Sequence, residues 1–388
     1  MTPTSLTPPA TRTAPPARGT RRLLRTAATP VAALLLAGAV ACTDGGGEPD
    51  AGATGTTDAA TQAATVWGPE LDAVVDAAPE GSYAVFDADN TLWDNDLTEA
   101  LLAHLEQRGI LTWETVDPAL QLLPLEEGES LFGYYLRLCG LVGNDACYYW
   151  IAASFSGIPL GTLEEEVHAM IAGGEPIPVT YVEDGELVED EVLPPSIFAE
   201  QRELLTHLRE QGIRVYLVTA ANEEIVRMVV TDDRYGLDVT DEELIGVGLL
   251  LRDPDDGELS VSRTLVDDGE FLTADYPVER LERSVLTPTL VDGTWYVGKK
   301  GAIEHHIDPY RYPVVVAGDA SSDWHMLFGV DTSSPTSGVR LWVDKGSPGV
   351  EALQEEQQRR VALQEAAGVE PDADDGWLVL EQEELGAE

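Results

Sequence analysis

The chain has 388 residues, 44% of them hydrophobic, enough apolar mass for one sizeable core with room for a smaller companion domain. Asp and Glu number 70 against 23 Lys and Arg, a formal net charge of −47, and so acidic a surface excludes nucleic acid and anionic lipid as partners of the fold. Six His and three Cys are too few for a His/Cys metal scaffold.

The N-terminal segment carries Arg12, Arg18, Arg21, Arg22 and Arg25 without an acid, then a short apolar run from Val31 that ends in Ala39-Val40-Ala41-Cys42. The run is too short to span a membrane. A basic start, a brief apolar stretch and small residues at the end make residues 1–42 a secretory signal. Its end resembles a bacterial lipobox, which makes Cys42 the lipid-bearing residue; ordinary signal cleavage beside an incidental Cys is the alternative. The expected location is outside the cell, anchored at the outer face of the cell membrane through Cys42, otherwise periplasmic or secreted. Residues 43–62, rich in Gly, Ala, Thr and Asp, read as a flexible linker.

From there strand and helix alternate, the pattern of a parallel sheet covered on both faces. Tyr83–Phe86 is a short apolar strand ending on Asp87. Asp96–Arg108 is a helix that opens with an Asp96/Glu99 capping box and stops at Gly109. Residues 110–195, rich in Leu, Tyr and Trp, read as a mainly helical cap. Within it stand Cys139 and Cys147; export favours a disulfide between them, and two buried thiols are the alternative. Ser196–Gln211 is a helix, Ile213–Val218 a buried strand, and Asn222 caps the helix after it. Residues 237–297 hold short β-like runs punctuated by Asp-Gly pairs and read as a smaller β insertion. Pro313–Ala317 and Val339–Val343 are two further strands, and residues 346–388 an acidic C-terminal tail with one helix candidate. On this reading the catalytic core comprises residues 63–109 and 196–345.

Four signals sit at strand ends, where ligands bind in open parallel sheets. In Asp87-Ala88-Asp89-Asn90-Thr91, two carboxylates two residues apart are unfavourable without a cation; one can hold Mg²⁺ and attack phosphorus, the other can serve as general acid and base. Thr219, with the helix start after it, can hold a phosphate oxygen. Lys299 and Lys300 lie together at a helix start, against the helix dipole unless one of them reaches an anion. Gly318-Asp319 and Asp323 add two acids, completing an oxygen-rich site suited to Mg²⁺.

The order DxD, Thr, Lys, GDxxxD is similar to that of the haloacid dehalogenase (HAD) superfamily. The resemblance implies an α/β fold, a HAD-like Rossmannoid parallel-sheet core with a mainly helical cap inserted after the first motif, and a Mg²⁺-dependent phosphomonoesterase working through an aspartyl-phosphate. It makes Asp87 the nucleophile and a metal ligand, and Asp89 the acid–base that also offers its carbonyl to the metal. Thr219 and Ala220 bind phosphate, and Lys299 neutralises it, with Lys300 as the other candidate. Asp319 and Asp323 complete the metal site. The dehalogenase branch, which lacks the second acid, is disfavoured by Asp89.

A narrower resemblance is to exported bacterial phosphorylcholine phosphatases, carried by Glu129–Cys139, Ala146–Trp150, Phe155–Gly157, Ala220–Glu224 and Ile245–Val247. A trimethylammonium head calls for aromatic faces and carboxylates. Trp93, Glu129, Tyr134, Tyr135 and Trp150 are the candidates for that contact, though adjacent residues cannot all face one pocket and packing in the cap interior is the competing role. Phosphoethanolamine, phosphoserine or a broad range of monoesters are the alternative substrates, and a non-catalytic phosphate- or choline-binding lipoprotein the alternative class.

Overall fold

The computed structural model describes residues 66–333, 337–346 and 349–387; the expected signal, the linker and Cys42 lie outside them. Helix α1 (Gly68–Ala77) leads into β1 (Tyr83–Phe86), a short pair of residues β2 (Trp93–Asp94) and α2 (Leu97–Gln107). Asp96 caps α2, its Oδ1 accepting from Glu99 N at 2.9 Å, so the helix begins where the side chain competes best for the first free amides. The cap follows as α3 (Leu131–Leu141), α4 (Asn144–Ala153) and α5 (Leu160–Gly173), then an antiparallel hairpin of β3 (Ile177–Glu183) and β4 (Glu186–Val192). Beyond β5 (Ser196–Ile197) come α6 (Ala199–Glu210), β6 (Arg214–Asn222), α7 (Glu223–Val230) and β7 (Leu244–Arg252). Then follow β8 (Leu259–Ser260), α8 (Ser262–Asp267), α9 (Val278–Arg283), β9 (Val285–Asp292) and α10 (Val297–Ala302). The chain closes with β10 (Val315–Gly318), α11 (Trp324–Leu327), β11 (Val339–Asp344), α12 (Gly349–Ala367) and β12 (Trp377–Glu381).

The main sheet runs β12-β11-β10-β1-β6-β7-β8, parallel from β12 to β7, with β9 also paired to β7. Every residue of β1 is buried because both faces are covered, which is why the strand reads as a continuous apolar run. Ala84 and Phe86 face one core with residues of α2, α6 and α7; Tyr83 and Val85 face the other with residues of α10, α11 and α12. The strand order reverses direction at β1, so the crevice at its carboxyl end is the topological switch point. Among the described residues no helix is long and apolar enough to cross a membrane.

Three segments depart from the reading of the sequence or add to it. Residues 346–388 are not a tail outside the core. Strand β12 joins β11 in parallel, and α12 buries Leu353 in the second core. Buried Arg340 of β11 donates to the carbonyls of Leu327, Asp372 and Asp375, anchoring the turn before β12. Residues 237–297, read as a smaller β insertion within the core, share a strand with the main sheet. The first half of β7 pairs with β6 (Leu217↔Leu244, Val218↔Ile245), and only its second half runs on to pair with β8 and β9. One strand thus belongs to both, a register that Asp-Gly punctuation does not reveal. In the cap, the β3–β4 hairpin stands beside the helices.

Cys139 and Cys147 are joined by a disulfide, Cα–Cα 5.0 Å, which ties α3 to α4.

Candidate active site

Asp87 leaves β1 still within the ladder: its N–H donates to Ala317 O of β10 at 3.0 Å. The chain then turns sharply, with Asn90 in the left-handed region (φ 57°) and the amides of Thr91 and Leu92 both on Ala88 O. Asn tolerates that backbone better than a branched residue would. The turn leaves Asp89 Oδ1 accepting from Trp93 Nε1 and from Leu97 N, each at 2.8 Å. Trp93 is fully buried, so it orients Asp89 and is not an open platform.

Lys299, fully buried on α10, places Nζ 2.6 Å from Asp87 Oδ1 and 2.6 Å from Asp323 Oδ1. Its neighbour Lys300 points away, toward Glu304 at 3.5 Å and over the Tyr312 ring. The dipole conflict is answered by two carboxylates. Asp323 spends its other oxygen on the amides of Asp319 (3.1 Å) and Ala320 (2.9 Å), folding the loop after β10 back on itself. Gly318 permits this approach; a Cβ there would stand 2.8 Å from the Asp323 side chain. Asp319 receives Thr91 Oγ1 at 3.5 Å and an ion pair from Lys345, just beyond β11.

Thr219 is buried on β6, one position past the residue level with Asp87 in the β1–β6 register. Its Oγ1 accepts from Ala221 N at 3.1 Å and its carbonyl from Thr294 Oγ1 at 2.6 Å. Asn222 takes the amides of Glu224 and Ile225, so the start of α7 is partly spoken for, while Ala220 remains half-exposed.

Carboxylate oxygens of Asp87, Asp319 and Asp323 lie within 4.8 Å of one another, all buried. Burial, then Asp323, raises the Asp87 carboxyl well above the ordinary carboxylate range, with Lys299 pulling the other way. Burial raises Asp319 too, against Lys345. Lys299 is held above its usual range: burial would lower it, but Asp323 and Asp87 prevail. Three buried acids against one buried lysine leave an excess of negative charge. A hard divalent cation with oxygen ligands fits that excess. Asp89 is also raised well above its usual range, by burial and then by Asp96.

The substrate-facing residues expected from the sequence divide. Tyr134 and Trp150 lie inside the cap: both are fully buried, with ring centroids 5.0 Å apart, and Trp150 Nε1 donates to Leu120 O at 2.9 Å. Glu129 is buried against Arg137, whose Nε and Nη2 lie 2.8 and 2.7 Å from its two oxygens. In this structure these three are engaged in packing and in an ion pair within the cap. Tyr135 is different. Burial and then the charges of Glu99 and Asp96 raise its hydroxyl, which puts it beside the capped start of α2. Half-buried Tyr148 feels burial, Tyr296 and then Asp323, and it packs on Trp295 and Tyr296. Trp295, Tyr296 and Lys345 escaped the sequence reading, which took Asp96 as a helix cap alone. Lys345 had a usable signal, since it directly follows a strand end as the other site residues do.

The chain matches the haloacid dehalogenase-like hydrolase family over residues 84–327. It is 39% identical over 322 residues to the phosphorylcholine phosphatase of Pseudomonas aeruginosa, covering 81% of this chain and 90% of that protein. Among solved structures it is similar to a protein of unknown function from Anaerococcus prevotii, with a TM-score of 0.47 at 16% identity over 73% of this chain and 84% of the other. A protein of unknown function from Bordetella pertussis gives 0.44 at 14%, over 78% of this chain and all of the other (100%). A substrate-bound phosphoserine phosphatase gives 0.35 at 13%, over 69% and 87%. A match that runs from β1 through α11, with that identity over 90% of the relative's length, places the chain in the haloacid dehalogenase-like hydrolase family, as a phosphomonoester hydrolase.

Proposed function

We propose that the chain hydrolyses phosphorylcholine to choline and phosphate through a phospho-enzyme on Asp87, with Mg²⁺ as cofactor. The observation that carries the mechanism is the meeting of Asp87, Asp319 and Asp323 around Lys299, with Asp89 held apart by its own hydrogen bonds. Bound by Asp87, Asp319 and Asp323, Mg²⁺ would supply the positive charge that keeps Asp87 ionised beside an anionic ester. An Asp87 oxygen attacks phosphorus and the bond to the ester oxygen breaks. Asp89, whose carboxyl burial and Asp96 raise, would give a proton to that oxygen as general acid. The resulting Asp89 carboxylate takes a proton from water, whose oxygen attacks phosphorus and frees Asp87 and inorganic phosphate. Lys299 and Thr219 hold the phosphoryl oxygens, and positioning of charge does most of the work in such a transfer.

The leaving group is assigned from the relative at 39% identity, named a phosphorylcholine phosphatase. The lipobox-like end at Cys42 supports an exported, lipid-anchored enzyme, and the cap disulfide suits an oxidising compartment. The test is phosphate release by the purified full chain with and without Mg²⁺, from phosphorylcholine, phosphoethanolamine, phosphoserine and p-nitrophenyl phosphate. The expected result is metal-dependent turnover with the highest kcat/KM for phosphorylcholine. Equal kcat/KM on phosphoethanolamine would remove the choline assignment, and turnover unaffected by EDTA would remove the metal.

A further inference from the structure

The segment from Thr294 to Lys299 touches the site at Thr219, Asp87 and Asp323. Thr294 holds the carbonyl of Thr219, and Lys299 holds Asp87 and Asp323. Between them, Trp295 and Tyr296 reach across to the cap. Trp295 Nε1 donates to Asp145 Oδ1 at 2.9 Å, and Asn144 Nδ2 donates to Tyr296 Oη at 2.6 Å, both at the start of α4. The Tyr148 ring completes the group, with centroids 6.3 Å from Trp295 and 6.0 Å from Tyr296. All three residues are half-buried.

Tyr296 has φ 52° and ψ −120°, a backbone region that glycine occupies freely and other residues rarely. Three residues before the catalytic lysine, strain of this kind persists when a side chain must be delivered to a fixed place. Gly298 makes the same tight turn possible, since a Cβ there would lie 1.9 Å from Gly293 O. The Asp145 carboxylate on the indole N–H also enriches the face of Trp295 in electron density, which favours a cation over that face.

We infer that Tyr148, Trp295 and Tyr296 form the face that receives the alcohol half of the ester, with Tyr296 the residue that selects a quaternary-ammonium head. The inference rests on the phosphorylcholine reading and names the side chains that would enforce it. Two of the three rings belong to the core and one to the cap, so the pocket is complete only when the cap is seated on α10 and its preceding loop.

The test compares kcat/KM for phosphorylcholine with that for its neutral isostere, 3,3-dimethylbutyl phosphate, in the full chain. Wild type is read first: if it does not favour the charged ester, the phosphorylcholine reading fails before any variant is considered. Given that preference, Tyr296→Gly keeps the backbone conformation and removes the ring, and is expected to lower the charged-to-neutral ratio about tenfold. Tyr296→Phe, which keeps the ring and loses the bond to Asn144, is expected to stay within about twofold of wild type. Tyr148→Leu, on the cap side of the cluster, moves the ratio in the same direction as Tyr296→Gly and serves if the glycine variant does not fold. An unchanged ratio in Tyr296→Gly overturns the inference. So does a Phe variant as impaired as the glycine one, because the hydroxyl latch to Asn144 would then be the determinant.

Discussion

A buried lysine is costly unless opposite charges surround it, and Lys299 has two carboxylates at contact distance. The same arrangement fixes the Asp87 carboxylate, while Asp89 is served by different donors, Trp93 and the Leu97 amide. Two acids two residues apart therefore stand in different surroundings, which fits the two roles proposed for them. Asp89→Asn is expected to lower kcat/KM for phosphorylcholine by about 10²–10⁴, because an alkoxide needs the proton. The first step with p-nitrophenyl phosphate, whose leaving group needs none, is expected to survive as a burst of nitrophenol in stopped flow. Absence of a burst together with equal losses on both esters would take the acid role away from Asp89. A second residue-scale prediction concerns the buried group around Arg227, which meets Glu223 at 2.6 Å, Asp241 at 2.7 Å and Glu224 at 3.4 Å. Burial pushes Glu223 up to about 7; Arg227 opposes this, and Glu224 adds to it. The folded chain thus holds a proton that the unfolded chain has released. The associated stability is complete below about pH 4.5 and is lost by about pH 7, about 3 kcal/mol across that window. Urea unfolding at pH 5 and pH 7.5 is expected to show a smaller difference in Glu223→Gln than in wild type. Matching pH slopes would place the proton elsewhere.

At the scale of elements, the cap is held by packing and by one covalent link. Helix α3 carries Tyr135 and α4 carries Tyr148, and the disulfide joins the two helices at Cys139 and Cys147, next to Tyr148. Helix α4 is also tied to β9 by Tyr149 Oη, which donates to Pro288 O at 2.6 Å. Removing the crosslink frees a short loop and is expected to cost about 2–3 kcal/mol of cap stability. In Cys139→Ser/Cys147→Ser, amide exchange across residues 131–153 is expected to quicken, with KM for phosphorylcholine rising more than kcat falls. Unaltered exchange in that segment would show that packing alone orders the cap.

The whole molecule closes its sheet with the segment that the sequence presents as a tail. β12 covers the edge of β11, and Arg340 spends its guanidinium on carbonyls of the connecting turn. A chain ending at residue 345 would expose the β11 edge and leave Arg340 with the Leu327 carbonyl but without those of Asp372 and Asp375. It is expected to aggregate on gel filtration, where the full chain stays soluble; a monodisperse, fully active truncation would deny the segment its structural part. The charge of −47 also bears on the whole molecule, since it opposes any anionic ester and leaves the attraction to the local field of Lys299 and the cation proposed beside it.

What was legible in the sequence was local or strictly ordered. The apolar run before Asp87, the capping Asp96 and Asn222, and the spacing of the acids around Gly318 are set by chain neighbours, and short-range sterics and hydrogen bonding decide them. The choice between Lys299 and Lys300 was not, because adjacent residues on a helix differ only in which one the fold turns inward. The same limit applied to the cap aromatics. Consecutive rings at Tyr134/Tyr135 and Tyr148/Tyr149/Trp150 have identical propensities, and only the seating of α3 and α4 on the core separates packing residues from those at the site mouth. Trp295 and Tyr296 meet α4 across about 150 residues of chain, and β12 finds β11 past a helix and a turn. Contacts of that range carry no local periodicity. Sequence by itself determined the order of the acids, the threonine and the lysine and the strand ends that present them; the tertiary structure alone decided which aromatic faces stand near them, because that depends on how the cap and core surfaces meet.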